Sequence, residues 1–198
     1  MRDVYTLPLA SAPNPSAYYL TVSVLDPDTD TRLPLLDAPD PTITAAAVGT
    51  VKVPPPRTAS IEHVGENIAA RFGEVIELEQ AEMPTSVQTG MPVAFRLVWK
   101  SFAPVSANYT VFVHLLHADG TLAATADAPP CAGLYPTSFW SPGERIVDEH
   151  QWLVTVPPGE YRVVGGLYQL DTGERLPVSG ARADPSGQVI LGVLRVMP

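Results

Sequence analysis

The chain has 198 residues, of which 45% are hydrophobic, 22 are proline and 14 are glycine, and it carries a net charge of −9. That hydrophobic content supplies a core and excludes a disordered chain, and an acidic balance without any basic cluster argues against a nucleic-acid partner. The single cysteine, Cys131, excludes an intramolecular disulfide framework and a cysteine-based zinc site, and no apolar run approaches the roughly 20 residues that a membrane-spanning helix needs.

Residues 3–9 read as a short strand, with Val4 and Thr6 opposed to Tyr5 and Leu7. Residues 18–25 make a stronger one: Leu20, Val22 and Val24 share one face, and Tyr19, Thr21 and Ser23 the other. Asp26, Pro27 and Asp28 then turn the chain, because aspartates bond nearby amides and proline fixes φ. Residues 32–36 and 46–53 follow as strands. Pro54, Pro55 and Pro56 form a stiff, extended linker at 54–57, and the domain boundary is placed there.

Beyond the linker, 61–72 carries the one helical hint, hemmed in by Gly65 and Gly73, so a short helix or irregular cover is expected. Alternating strands then follow at 75–83, 92–99, 109–117, 121–127, 145–156, 161–170, 174–178 and 189–196. Strand 109–117 is apolar on both faces, as a central strand would be. Asp119-Gly120 and Asp171-Thr172-Gly173 are hairpin turns. About eight strands with regular turn signals predict an all-β protein, an antiparallel β-sandwich of immunoglobulin-like or jelly-roll-like type, over 58–198.

The chain also repeats itself. Tyr161, Asp171, Thr172, Arg175, Leu176, Pro177, Gly192 and Val196 recur as Tyr18, Asp28, Thr29, Arg32, Leu33, Pro34, Gly49 and Val53. The offset is constant, since 161 − 18, 175 − 32 and 196 − 53 all equal 143. Asp148 matches Asp3 after a shift of two residues. Residues 1–53 therefore read as the C-terminal half of a first sandwich repeat, and any targeting or membrane segment would lie upstream. Four strands cannot close a sandwich alone, so a homodimer built through 1–53 is expected.

The order YTVFVHLLHADG, DAPP, GLYPTSFWSPGERIVDEH and PPGEYRVVGGLYQLDTGERLP over roughly 70–198 resembles a bacterial β-sandwich domain. That domain is found at the C-terminal end of polytopic membrane glycosyltransferases of the dolichyl-phosphate-mannose type. The resemblance implies an extracytoplasmic accessory module attached to a carbohydrate-handling enzyme. It brings no catalytic residue and no cofactor. A charged fraction of 17% with few lysines is compatible with such a location.

Three side-chain groups stand out. His114, Asp127, Asp148 and His150 could bind a metal if they met at ligand distance, but they come from separate strands, so no metal site is expected. A structural polar network is expected instead. Asp148 and Arg175 are kept in both copies as Asp3 and Arg32, whereas His150 becomes Tyr5; this points to an Arg175–Asp148 ion pair. Tyr135, Phe139 and Trp140 lie on a proline-rich loop. They could stack on a sugar ring, or plug the end of the sandwich. Asn108-Tyr109-Thr110 fits a glycosylation sequon, a motif short enough to occur by chance. The leading expectation is a non-catalytic module that binds a glycan or positions an attached glycosyltransferase. The alternative is a structural or protein-interaction sandwich with no ligand. A hydrolase using His114 or His150 lacks a nucleophile motif.

Overall fold

The computed structural model describes residues 6, 16–36, 38–40, 42–53 and 65–198. The chain divides into two compact units, Met1–Pro54 and Pro55–Pro198. The expected strand at 3–9 (Thr6 apart), Asp3 and the Pro54–Pro56 linker lie outside the described residues.

In the first unit, β1 (Ser16–Val22) pairs antiparallel with β4 (Ala46–Val53), and β2 (Leu25–Asp26) pairs with β3 (Thr31–Arg32). The turn between β2 and β3 is held by Asp26, whose Oδ1 accepts from the Asp28 amide at 2.9 Å and the Thr29 amide at 3.3 Å. These contacts hold the Asp26 carboxyl below its ordinary range.

The second unit is a two-sheet sandwich. Its strands are β5 (Glu66–Phe72), β6 (Ile76–Glu82), β7 (Ser86–Gln88), β8 (Pro92–Ser101), β9 (Tyr109–Leu116), β10 (Leu122–Thr125), β11 (Arg145–Leu153), β12 (Gly159–Gln169), β13 (Val178–Ser179), β14 (Ala183–Asp184) and β15 (Gln188–Met197). One sheet runs β10-β9-β12-β15-β14, with β7 alongside β15 in parallel; the other runs β11-β8-β6-β5-β13. All remaining pairings are antiparallel. The all-β expectation therefore holds, with short extra strands at β7, β13 and β14. The expected strand 174–178 is reduced to a single bridge between Arg175 and Tyr168, with β13 starting at Val178.

The expected helix or irregular cover at 61–72 is corrected: from Glu66 on it is strand β5. Ala69, Ala70 and Arg71 suit a helix locally. The period-2 series Ile68, Ala70 and Phe72 decides the matter, because all three are buried in the core. A bulge between Asn67 and Ala70, with Ala69 at φ 49°, shifts the register of β5 against β6 at that point.

The core lies between the sheets. Val111, Val113 and Leu115 of β9, with Tyr161, Val163 and Leu167 of β12, face Phe95, Leu97 and Trp99 of β8 and their neighbours. Trp99 meets Phe72 edge-on with ring centroids 5.7 Å apart. The outer face of the first sheet is also covered. Phe112 is buried there under the Arg175 guanidinium, which lies 4.4 Å from its ring centroid. Strand β9 is thus covered on both faces, as its apolar sequence requires. Gly166 makes room for this layer: a Cβ there would sit 2.5 Å from Phe112 Cζ and 2.9 Å from the Gly187 carbonyl. Gly166→Ala is expected to destabilise the second unit by about 1–3 kcal/mol through overpacking, measured by urea unfolding followed through tryptophan fluorescence.

Candidate functional site

Strand β11 alternates with period 2, so Ile146, Asp148 and His150 turn inward, and Val147, Glu149 and Gln151 outward. That places a fully buried carboxylate, Asp148, inside the sandwich. Its oxygens are satisfied from three sides. Trp99 Nε1 donates to Oδ2 at 3.2 Å, the Cys131 amide donates to Oδ1 at 2.8 Å, and His150 Nε2 lies 2.7 Å from Oδ2. The Cys131 amide reaches Asp148 because the 3-10 turn Pro130–Gly133 bends through left-handed backbone at Cys131 (φ 52°) and Ala132 (φ 54°). Burial, and then the Asp148 charge, push the Cys131 thiol up to about 12, which removes its reactivity at neutral pH.

The proline-rich loop closes the same end of the sandwich. Tyr135 and Trp140 are buried, and Phe139 packs against the core half-buried. Trp140 Nε1 donates to the Tyr135 carbonyl at 3.1 Å, and its ring lies 6.4 Å from that of Trp99. Tyr135 donates its hydroxyl to Glu144 Oε1 at 2.9 Å, and burial first, then that carboxylate, raise its pKa. Thr137 ties the loop to the sheet: its Oγ1 donates to the Ala107 carbonyl at 2.7 Å and accepts from the Tyr109 amide at 2.9 Å. The sugar-contact expectation for Tyr135, Phe139 and Trp140 is corrected accordingly. The rings of Tyr135 and Trp140 are spent on the core and offer nothing to a ligand, and Phe139 gives part of its ring to the same core.

The expected single polar network is two separate groups on different sheets. The first is Asp148 with His150. The second lies on the outer face of the other sheet, where His114 Nε2 is 3.2 Å from Asp127 Oδ1. The approach is not that of a hydrogen bond, and among the described residues this buried nitrogen has no hydrogen-bond partner. Arg175 belongs with the second group, and the expected Arg175–Asp148 pair does not form. Arg175 Nη1 donates instead to the Ser186 carbonyl at 3.1 Å and to Gln188 Oε1 at 3.4 Å. What the repeat keeps at this position is a bridge, Tyr168 to Arg175 and Leu25 to Arg32, rather than an ion pair. Among the described residues, no three of His, Cys, Asp and Glu converge as metal ligands would.

A cleft of about 740 Å³ opens beside β7 and the neighbouring ends of β6, β8 and β11. Met83, Val87, Val93 and Phe95 give it an apolar wall; Glu82, Arg96, Glu149, His150 and Gln151 give it a polar one. Arg96 is the hub, with Nη1 3.1 Å from Glu82 Oε2 and Nε donating to Glu149 Oε1 at 3.0 Å. The sequence reading did not single out this cleft. Glu82, Arg96, Glu149 and Gln151 are ordinary outward positions of strands, and the pairings of β11 and of β6 with β8, which set Glu149 and Glu82 opposite Arg96, bring them together.

No protein-family model matches the chain, and no curated protein matches it. Its fold is similar to solved β-sandwiches. The C-terminal domain of Wzt aligns with a TM-score of 0.50 at 10% identity, over 69% of this chain and 81% of that one. A Niemann-Pick type C2 protein from the Japanese carpenter ant aligns with a TM-score of 0.43 at 8% identity, over 68% of this chain and 99% of that one. At 10% identity the likeness to the Wzt domain is one of fold alone. Among the described residues no helix is long and apolar enough to cross a membrane.

Two outcomes test these arrangements. Asp148→Ala is expected to cost roughly 3–5 kcal/mol, because it strands the Trp99 and Cys131 N–H groups and the His150 ring in the core; chemical unfolding measures it. Burial holds His114 below its ordinary 6.5; the Asp127 charge opposes this and the Arg175 charge adds to it. Below pH 6.5 the unfolded chain takes up a proton that the folded chain still refuses. Stability is therefore full above that pH and falls as pH drops below it, toward the lower folded value. His114→Gln is expected to flatten this part of the stability profile measured by thermal unfolding across pH.

Proposed function

We infer that the second unit is a non-catalytic accessory module that binds a glycan in the cleft around Arg96, outside the cytoplasm and beside a membrane glycosyltransferase of the dolichyl-phosphate-mannose type. The observation that carries this reading is the cleft's composition. A guanidinium held between two carboxylates, with Gln151 nearby, offers a fixed array of donors and acceptors. Sugar hydroxyls both donate and accept, so they match such an array, while Met83 and Val87 can meet the apolar face of a ring. The sequence resemblance supports the location and the neighbouring enzyme; the sandwich fold is compatible with both. No nucleophile or metal cluster was read from the sequence to support chemistry in the cleft.

The second reading, a structural or protein-interaction sandwich with no ligand, is favoured by one observation. The loop aromatics best suited to stacking on sugar are turned into the core.

A glycan array probed with the full chain separates the two. Binding is expected, and Arg96→Ala is expected to weaken it at least ~10-fold, about 1.4 kcal/mol. The same change should move stability by no more than about 1 kcal/mol, because both ion pairs are exposed. An empty array would favour the ligand-free reading, and binding indifferent to Arg96 would overturn the cleft as the glycan site.

A further inference from the structure

Strand pairing sets the charges of the Arg96 cleft in a row. Glu149 of β11 and Glu82 of β6 are the register partners of Arg96 on β8, so one cation stands between two anions on the same face. Arg96 takes one oxygen from each. Its Nε donates to Glu149 Oε1 at 3.0 Å, its Nη2 lies 3.0 Å from that same oxygen, and its Nη1 donates to Glu82 Oε2 at 3.1 Å. All three guanidinium nitrogens are thus turned to carboxylates. A guanidinium has no acceptor, so what the row still offers is the second oxygen of each carboxylate. The Glu82 and Glu149 side chains are 53% and 67% exposed, which leaves those oxygens open to a ligand.

Among the described residues, the rows on either side bring no compensating charge. One is Gln151 with Ala94; the other is Val147, Val98 and Gln80. The next cations along this face, Lys100 and Arg145, stand one row further on, and Glu79 holds both. The remaining ionisable group in the cleft wall is His150, which is bonded to Asp148. A proton carried between that imidazole and that carboxylate leaves the pair neutral, and without it the pair is negative. The cleft therefore carries an excess of negative charge, in keeping with the −9 of the whole chain.

We propose that the glycan taken by this cleft is an amino sugar, recognised through a protonated amine between Glu82 and Glu149; the proposal rests on the glycan reading above. An ammonium donates three hydrogen bonds and accepts none. That is the complement of a row whose cation is spent and whose carboxylates still have acceptors. Hydrogen bonds between charged partners are also stronger than neutral ones. An acidic sugar meets the opposite balance: its carboxylate must approach two like charges or draw Arg96 off both partners. The field outside the cleft acts in the same sense, since an acidic surface gathers cations.

Calorimetric titration of the full chain tests this with oligomers of glucose, glucosamine and glucuronic acid, matched in linkage and length, in buffer acidic enough to protonate the amine. The glucosamine oligomer is expected to bind about 5-fold tighter than the neutral one, the margin of an exposed ion pair, and the glucuronic acid oligomer weakest. Salt narrows the margin by screening. Glu149→Gln is expected to narrow it too. Glu174→Gln removes the same charge beyond Gln169, at the end of β12 away from the cleft, and is expected to leave the margin unchanged. A glucuronic acid oligomer bound as tightly as the glucosamine one, with Arg96→Ala weakening both, overturns the amine and leaves the glycan reading standing. A margin that Glu174→Gln narrows as much as Glu149→Gln overturns it as well, because the preference then belongs to the whole chain's field. Three silent oligomers overturn the amine as the recognised group, and the glycan array then decides whether the glycan reading falls with it.

Discussion

The pairing of β12 with β15, with its slip after Val163, is the constraint on which the fold depends. Both strands alternate apolar and polar residues, and a strand shifted by one position would turn its whole apolar set outward. The slip passes over Leu191, which occupies β15 between Ile190 and Gly192 and remains in the core. One extra residue bends and twists the strand there while keeping Val189, Leu191, Leu194 and Val196 inside. Val48 occupies the equivalent place between Ala47 and Gly49. Two segments of different sequence reach the same slip, so the bulge is written into the pattern: spacing between inward apolar residues changes by one at that point in each.

Once β12 and β15 are fixed, the rest of the second unit assembles around them. Strand β9 joins the free edge of β12, and its inward residues complete one wall of the core. The opposite sheet must then fit a wall of fixed shape, and it carries the polar residue that matters most. Asp148 is a carboxyl group in a dry interior, which costs free energy unless both its oxygens have hydrogen-bond partners. Trp99, Cys131 and His150 supply them. This requirement accounts for the left-handed backbone at Cys131 and Ala132: without it the turn could not aim its amide at the carboxylate. A buried carboxyl group thereby sets where the closing loop sits, and the loop in turn seals Trp140 over Trp99.

The sequence made the strands legible where period 2 was unbroken, as along 92–99 and 145–156; alternation puts Asp148 and His150 on one face of their strand with Trp152. It failed at β5, where the alternating series Ile68, Ala70 and Phe72 is short and alanines favour a helix locally. It also failed wherever the answer depended on which sheet a strand joins. Asp148 and Arg175 looked like partners because both are repeated, yet one faces the interior from β11 and the other covers Phe112 on the far side of the opposite sheet. His114 shares a strand face with Phe112 and Leu116, but alternation cannot say that this is the outer face. The Arg96 cleft could not be found, because residues 53 apart in sequence meet in it only through pairing.

The two copies of the β12–β15 unit separate what a sequence pattern encodes from what an environment supplies. In both, the ribbon adopts the same register, slip and turn, although only one is buried. Local pattern is therefore sufficient for that geometry. It is not sufficient for stability, which comes from apolar area removed from water at about 25 cal/mol per Å². Leu20, Val24, Val48 and Val51 still have that area to lose. If they served no contact, polar substitution at these positions would cost the first unit nothing and would improve solubility, whereas all four remain aliphatic. Their chemistry is that of a surface adapted to another sheet, and the groups able to meet it are set by the same rule that built the second unit: apolar strand against apolar strand, with charges left at the rim.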